Sequence, residues 1–236
     1  MIERRGIIPS PSALEGPRFP TPEQFTPLDY EIWDKVSGPD DPRIAEYVEE
    51  IITVMKMAFG RPDFPEEDMR NHIGGDLVIL GWAEEVLQAN GGGRERRVVA
   101  YASLQWGRLR DLVGVGNGEE QGAYLAAAVV DPAYQKQGHY RELTKRRIEA
   151  ALRRGTGTIF TRTQNPKVEL GIRRALEKMG ISYEVERILV HAAYGEQLTS
   201  IRPMVKERAI QDEYDQLDYE RGDAFVLVFS CGPFGS

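Results

Sequence analysis

The 236 residues suffice for one large domain with a substantial core, and 41% hydrophobic with 28% charged residues is an ordinary globular balance. A net charge of −7 argues against nucleic acid or an anionic membrane as the main partner, because phosphate binding is driven by clustered Lys and Arg. The single cysteine, Cys231, excludes an intrachain disulfide and argues against a Cys-based metal site, and with no long apolar span or signal peptide visible a cytoplasmic protein is expected.

Residues 1–42 hold 8 of the 14 prolines, which break any long helix or central strand. Residues 1–27 read as a Pro-rich arm, and residues 28–236 as a single domain. Leu28 to Val36 reads as a first strand. Asp40-Asp41-Pro42 is a helix start signal, and Ile44, Tyr47, Val48, Ile51, Ile52, Met55 and Ala58 recur at helical spacing, so a helix is predicted over 42–59. A short second helix runs from Pro65 to His72 and closes at Gly74-Gly75. Strands follow at Leu77 to Leu87 and Val98 to Arg108, joined through an Asn90-Gly91 hairpin signal. Gly114, Gly116 and Gly118 invite a nucleotide-loop reading, but a strand rather than a helix follows them. A connection between strands with an Asn117-Gly118 turn is the better account.

The next stretch organises the chain. Ala123 to Val130 is an apolar strand that stops at Asp131-Pro132. The turn Gln135-Lys136-Gln137-Gly138-His139-Tyr140 leads into a helix over Arg141 to Arg154. Exposed N–H groups and the positive end of the helix dipole make such a turn an anion site. Lys136, Arg141 and Lys145 add positive charge there, while Arg146, Arg147, Arg153 and Arg154 read as a solvated basic face. Thr158 to Thr163 is a further strand. Asn165-Pro166 is a helix cap with Pro in the first turn, and Gly180 is that helix's stop. Tyr183 to Ala193 and Ala224 to Ser230 read as the closing strands, separated by an acidic excursion at 194–223. The order predicts a mixed α/β sheet, mostly antiparallel, with one strand-helix-strand crossover and helices on both faces.

Gln135-x-x-Gly138-x-Tyr140, the strand before it, the Asn165 helix and the Ala175-to-Ile181 exit resemble the GNAT superfamily of acyl-CoA-dependent N-acyltransferases. The resemblance spans roughly residues 28–232. It implies a central sheet of six to seven strands and acetyl-CoA, or another acyl-CoA, as cosubstrate. The pyrophosphate would meet backbone N–H groups of Gln137, Gly138, His139, Tyr140 and Arg141, with Gln135 and Lys136 beside them. Pantetheine would pair with main-chain groups of Ala128, Val129 and Val130, and Asn165 would approach its thiol end. Two places depart from the family's pattern. Tyr140 stands where Gly or Ala is usual, and Leu176 where many members carry a Tyr as general acid.

The chemistry expected is direct attack of a neutral amine on the thioester, which needs a base, an oxyanion donor and proximity. The Val130 N–H is the expected donor. Glu120, a carboxylate that would act through water, and Tyr124 are the candidate catalytic side chains, weighed against a solvated carboxylate and a core aromatic; Tyr183 is a remote substitute acid. His72 and His191 read as structural, His139 as flanking the cofactor or exposed, and Cys231 as inert. No metal spacing is present. The expected acceptor is a small-molecule amine, and the acidic excursion reads either as negative charge that draws a cationic substrate or as a solvated surface loop. A longer acyl chain, a protein acceptor and a non-catalytic acyl-CoA-binding domain stay open, as does a homodimer through the last strands.

Overall fold

The structure is a computed structural model that describes residues 27–86, 94–115 and 120–233. Seven strands form one sheet: β1 (Asp29–Val36), β2 (Gly75–Val86), β3 (Arg94–Arg108), β4 (Gln121–Val130), β5 (Thr158–Thr163), β6 (Tyr183–Val190) and β7 (Ala224–Cys231). Their spatial order is β1-β2-β3-β4-β5-β7-β6. Every neighbouring pair is antiparallel except β4–β5. The mixed sheet expected from the sequence is present, and its single parallel pair is the one joined by the strand-helix-strand crossover.

Six helices accompany the sheet among the described residues: α1 (Val48–Phe59), α2 (Glu66–Arg70), α3 (Leu109–Val113), α4 (His139–Arg153), α5 (Pro166–Lys178) and α6 (Arg208–Tyr214). Leu143, Ile148 and Ala151 of α4 and Ile172, Ala175 and Leu176 of α5 share one core with Ile79, Ala102 and Leu125 of the sheet. Ile51, Ile52 and Met55 of α1 bury against Val78, Leu80 and Tyr101 on the opposite face. Each such side chain removed from water contributes about 1.5–3 kcal/mol, so the two layers clamp the sheet from both sides.

Several boundaries differ from the sequence reading. The first helix begins at Val48, six residues late. Asp41 accepts from the Ser37 and Arg43 amides and holds the chain in a turn, and only a short 3-10 turn precedes α1. A five-residue helix, α3, occupies the Gly-rich connection and ends at Gly114 with φ +76°. The Pro-rich arm up to residue 26 and the Asn90-Gly91 and Asn117-Gly118 turns lie outside the described residues. Arg147 is the main correction to the helix faces: it is 2% exposed, not solvated. It follows Leu143 by four residues and precedes Ala151 by four, so it shares their buried stripe.

The acidic excursion is also less negative than its composition implied. Glu196 pairs with Arg61, Glu207 with Arg174, Asp215 with Arg202, and Asp223 with Arg221. Charge already paired in this way exerts little pull on a cationic substrate.

Candidate active site

The site begins where β4 and β5 part. They pair only at Ala123–Ile159 and Tyr124–Phe160. One further link, from Thr161 Oγ1 to the Leu125 carbonyl at 2.9 Å, closes the apex. Beyond it, among the described residues, β4 has β3 as its only strand neighbour. Ala128, Val129 and Val130, opposite Ala102, Tyr101 and Ala100, therefore turn their other edge to the opening. The divergence has a local cause. Ser103 opposes Ala127 while Gln105 opposes Tyr124, so β4 carries an extra residue there. A bulge of this kind bends a strand and increases its twist.

Arg147 braces the bulge from below. Its Nη1 donates to the Ala127 carbonyl at 2.8 Å and lies 3.4 Å from the Ser103 carbonyl. Its charge is felt by the Tyr140 hydroxyl. Burial pulls its pKa down, and the nearby tyrosines oppose that pull.

The opening leads to the N-terminus of α4. Gly138 is the N-cap, at φ +91°, and no side chain caps the helix. The first bond of the α4 ladder runs from the Glu142 N–H to the Gly138 carbonyl. The amides from Gly138 to Arg141 come before it and form the helix's open positive end. A Cβ added at Gly138 would sit 3.4 Å from the Arg141 guanidinium, which therefore lies over the turn. Lys136 is exposed beside it, at φ +64°. Gln135 ties the turn to β4 by donating from Nε2 to the Val130 carbonyl at 3.0 Å. Gln137 Nε2 reaches back to the Ala133 carbonyl at 3.4 Å. His139 is buried rather than flanking solvent, with Nδ1 at 3.0 Å from the Tyr30 hydroxyl of β1. On the other wall, Asn165 caps α5 through Oδ1, which accepts from the Lys167 amide at 3.0 Å. What Asn165 has left to offer a ligand is Nδ2. A backbone-lined anion cradle opening onto a strand edge fits a pyrophosphate with an extended polar chain attached.

On the opposite sheet face the apex is lined by Tyr124 and Arg162. Tyr124 stacks on Phe160 with ring centroids 5.5 Å apart. Burial raises its pKa, with Arg162 opposing, so the hydroxyl is a donor at neutral pH. Arg162 follows Phe160 by two residues and faces the same way. Its guanidinium lies 4.7 Å above the Tyr194 ring. His72 lies between α2 and β2, and desolvation and then the Arg162 charge hold its pKa below the ordinary 6.5. It is therefore neutral at pH 7. The excursion roofs this region. Arg61 bridges to Glu196 and donates to the Gln197 carbonyl at 2.8 Å. The Ser200 amide meets the Phe59 carbonyl at 3.1 Å, and Gln164 Oε1 accepts from the Leu198 amide at 3.0 Å.

The other candidates are not gathered here. Glu120 is exposed just before β4, on the end where β4 and β5 are still paired, so the opening starts beyond it. The Tyr183 hydroxyl donates to Glu177, and His191 Nδ1 meets Asp223 at 3.1 Å. Burial pushes the Cys231 thiol up to about 11, which leaves it protonated. Leu176 is fully buried in the core. Sequence reasoning passed over Arg162 and gave His72 a structural part. The period-two spacing from Phe160 was the available signal for Arg162, whereas nothing local marks His72.

No family model and no curated protein matches the chain. Solved structures resemble it in trace. The NatC complex bound to Gag peptide and CoA is 13% identical, over 86% of this chain and 98% of that one, at a TM-score of 0.46. A Bacillus subtilis acetyltransferase in complex with CoA is 16% identical over 86% and 97%, at 0.41. An IAA acetyltransferase from Bacillus cereus is 13% identical over 85% and 98%, at 0.42. Likeness of this degree carries nothing about substrate or chemistry.

Proposed function

We propose that this protein transfers an acyl group, acetyl in the first instance, from acyl-CoA to the primary amine of a small molecule. The observation that carries the reading is the continuity between the uncapped Gly138 end of α4 and the unpaired edge of β4, with titratable groups at the apex. When bound, acyl-CoA supplies the thioester. The turn from Gln135 to Arg141 holds the pyrophosphate, and the edge at Ala128, Val129 and Val130 aligns the pantetheine. Asn165 Nδ2 is placed to contact the thiol end.

The apex supplies the acid and base. His72 is held neutral and Tyr124 is held protonated. Two groups pushed apart in this way divide the roles of base and acid. His72 takes a proton from the acceptor ammonium. The freed nitrogen forms its bond to the acyl carbon as the carbon–sulfur bond breaks. The Val130 N–H donates to the carbonyl oxygen, and the Tyr124 hydroxyl returns a proton to the departing sulfur. The products are an amide and a thiol, with one net proton lost to water. The excursion tied down by Arg61, Glu196 and Ser200 is read as cover for this face, which favours a small acceptor over an extended peptide.

One observation favours a second reading, an acyl-CoA-binding domain without turnover: Leu176 puts a buried hydrocarbon where the resembled family often has its acid. Calorimetric titration with CoA, paired with thiol release across primary amines, separates the two. Binding with amine-dependent release supports the transferase; tight binding with no release for any amine supports the second reading.

A further inference from the structure

Arg162 is out of pattern for this chain. Most partly buried arginines here have a carboxylate: Arg173 and Arg187 share Glu169, Arg61 has Asp63 and Glu196, and Arg97 has Asp131. Arg147 lacks one but donates to two main-chain carbonyls. Among the described residues Arg162 forms no ion pair, and its buried Nε meets no hydrogen-bond partner. It is held instead by Tyr194, whose ring underlies the guanidinium at 4.7 Å and whose hydroxyl donates to the Arg162 main-chain carbonyl at 2.8 Å. The aromatic face fixes the plane of the fork. Gln164, two residues on, ties the same strand end to the roof.

A planar guanidinium with a fixed orientation and no resident anion is suited to bidentate capture of a carboxylate. In a chain with 37 acidic and 30 basic residues, the absence of a pairing acid here is a feature of the site rather than of supply.

We propose that Arg162 receives a carboxylate carried by the acceptor, so that the substrate class is an amino carboxylate, such as an amino acid, rather than a plain amine. The amine part of this statement rests on the acyl-transfer reading; the carboxylate part does not. With its carboxylate on Arg162, an acceptor lies on the face that carries Tyr124 and His72. Tyr124 stacks on Phe160, two residues before Arg162 on β5, and both Tyr124 and His72 feel the Arg162 charge. The expectation of a cationic acceptor drawn by the acidic excursion is thereby replaced by that of an anionic or zwitterionic one.

The test is a binding experiment that does not need turnover. The full chain, saturated with CoA, is titrated calorimetrically with the common amino acids and with the carboxamide of each. At least one amino acid should bind, its carboxamide should bind about 30-fold more weakly or not at all, and Arg162→Gln should cost the amino acid a similar factor, the range expected when a charge-assisted hydrogen bond is lost. Arg162→Lys should recover part of the affinity. Melting temperatures close to that of the unsubstituted protein show that both variants fold. The proposal is overturned if no amino acid binds, if carboxamides bind as well as the acids, or if Arg162→Gln leaves the preference intact. Selective amino acid binding without any thiol release from acetyl-CoA would instead uphold Arg162 and reject the transferase.

Discussion

Tyr140 lies across Gly171: a Cβ built on Gly171 comes within 3.3 Å of the Tyr140 ring, tight enough that the neighbour must give. The bulky residue in the anion turn is therefore accommodated by a glycine in the facing helix.

Gly171→Leu should force the ring out and destabilise the protein by about 1–3 kcal/mol through overpacking. That loss outweighs the gain of up to about 1 kcal/mol from removing a helical glycine. Adding Tyr140→Ala should recover more than about 0.5 kcal/mol of it, the coupling expected of residues in contact. Urea unfolding of the two single variants and the double variant measures this. Additive effects would mean that the ring and Gly171 do not share a space.

The turn itself is tested at Gly138. Its φ of +91° suits glycine, and a side chain there costs about 1–3 kcal/mol in strain. Gly138→Asp adds a negative charge at the open end of α4. CoA affinity should fall by at least about 100-fold, since both the backbone approach and the local charge are lost. Circular dichroism should report the fold retained. Unchanged CoA affinity would remove the anion site from the turn.

The pH profile reports the base. His72 has a pKa lowered by desolvation and by the Arg162 charge, so its neutral, proton-accepting form persists below pH 6.5. As pH falls through the lowered pKa the ring gains a proton and kcat/KM should drop tenfold per pH unit. In Arg162→Gln one of the two causes is gone, so the acid limb should move to higher pH. His72→Gln should abolish the limb and lower kcat by about 10²–10⁴-fold, the usual contribution of a general base. A limb that stays in place in both variants would assign the base elsewhere.

Much of the fold was legible because its signals are local. An apolar run ended by Asp131-Pro132 marks β4, an amphipathic run ended by Gly155 marks α4, and Asn165-Pro166 fixes the start of α5 to the residue. The anion turn was legible for the same reason, since Gly138 and the helix it opens are contiguous. The two short helices α3 and α6 were not, because five or seven residues carry too little periodicity against a Gly-rich or polar background. The apex was hidden for a different reason. It depends on how far β4 and β5 pair before they part, which is a matter of register between distant segments. Glu120 looked central because it precedes the central strand, but the strands are still joined at that end. His72 and Arg162 are 90 residues apart, and the charge of one reaches the other only once the sheet is assembled.

The account turns on amine-dependent acyl transfer, and thiol release is its most direct measure. Purified protein is mixed with acetyl-CoA and amino acids, amino acid amides and plain amines in parallel, and the thiol freed is compared with the acylated amine found by mass spectrometry. Acyl transfer requires one thiol per molecule of amide, release that depends on the amine, and strong loss of release in Tyr124→Phe and Gly138→Asp. Absence of release with every amine, together with absence of CoA binding, would contradict it.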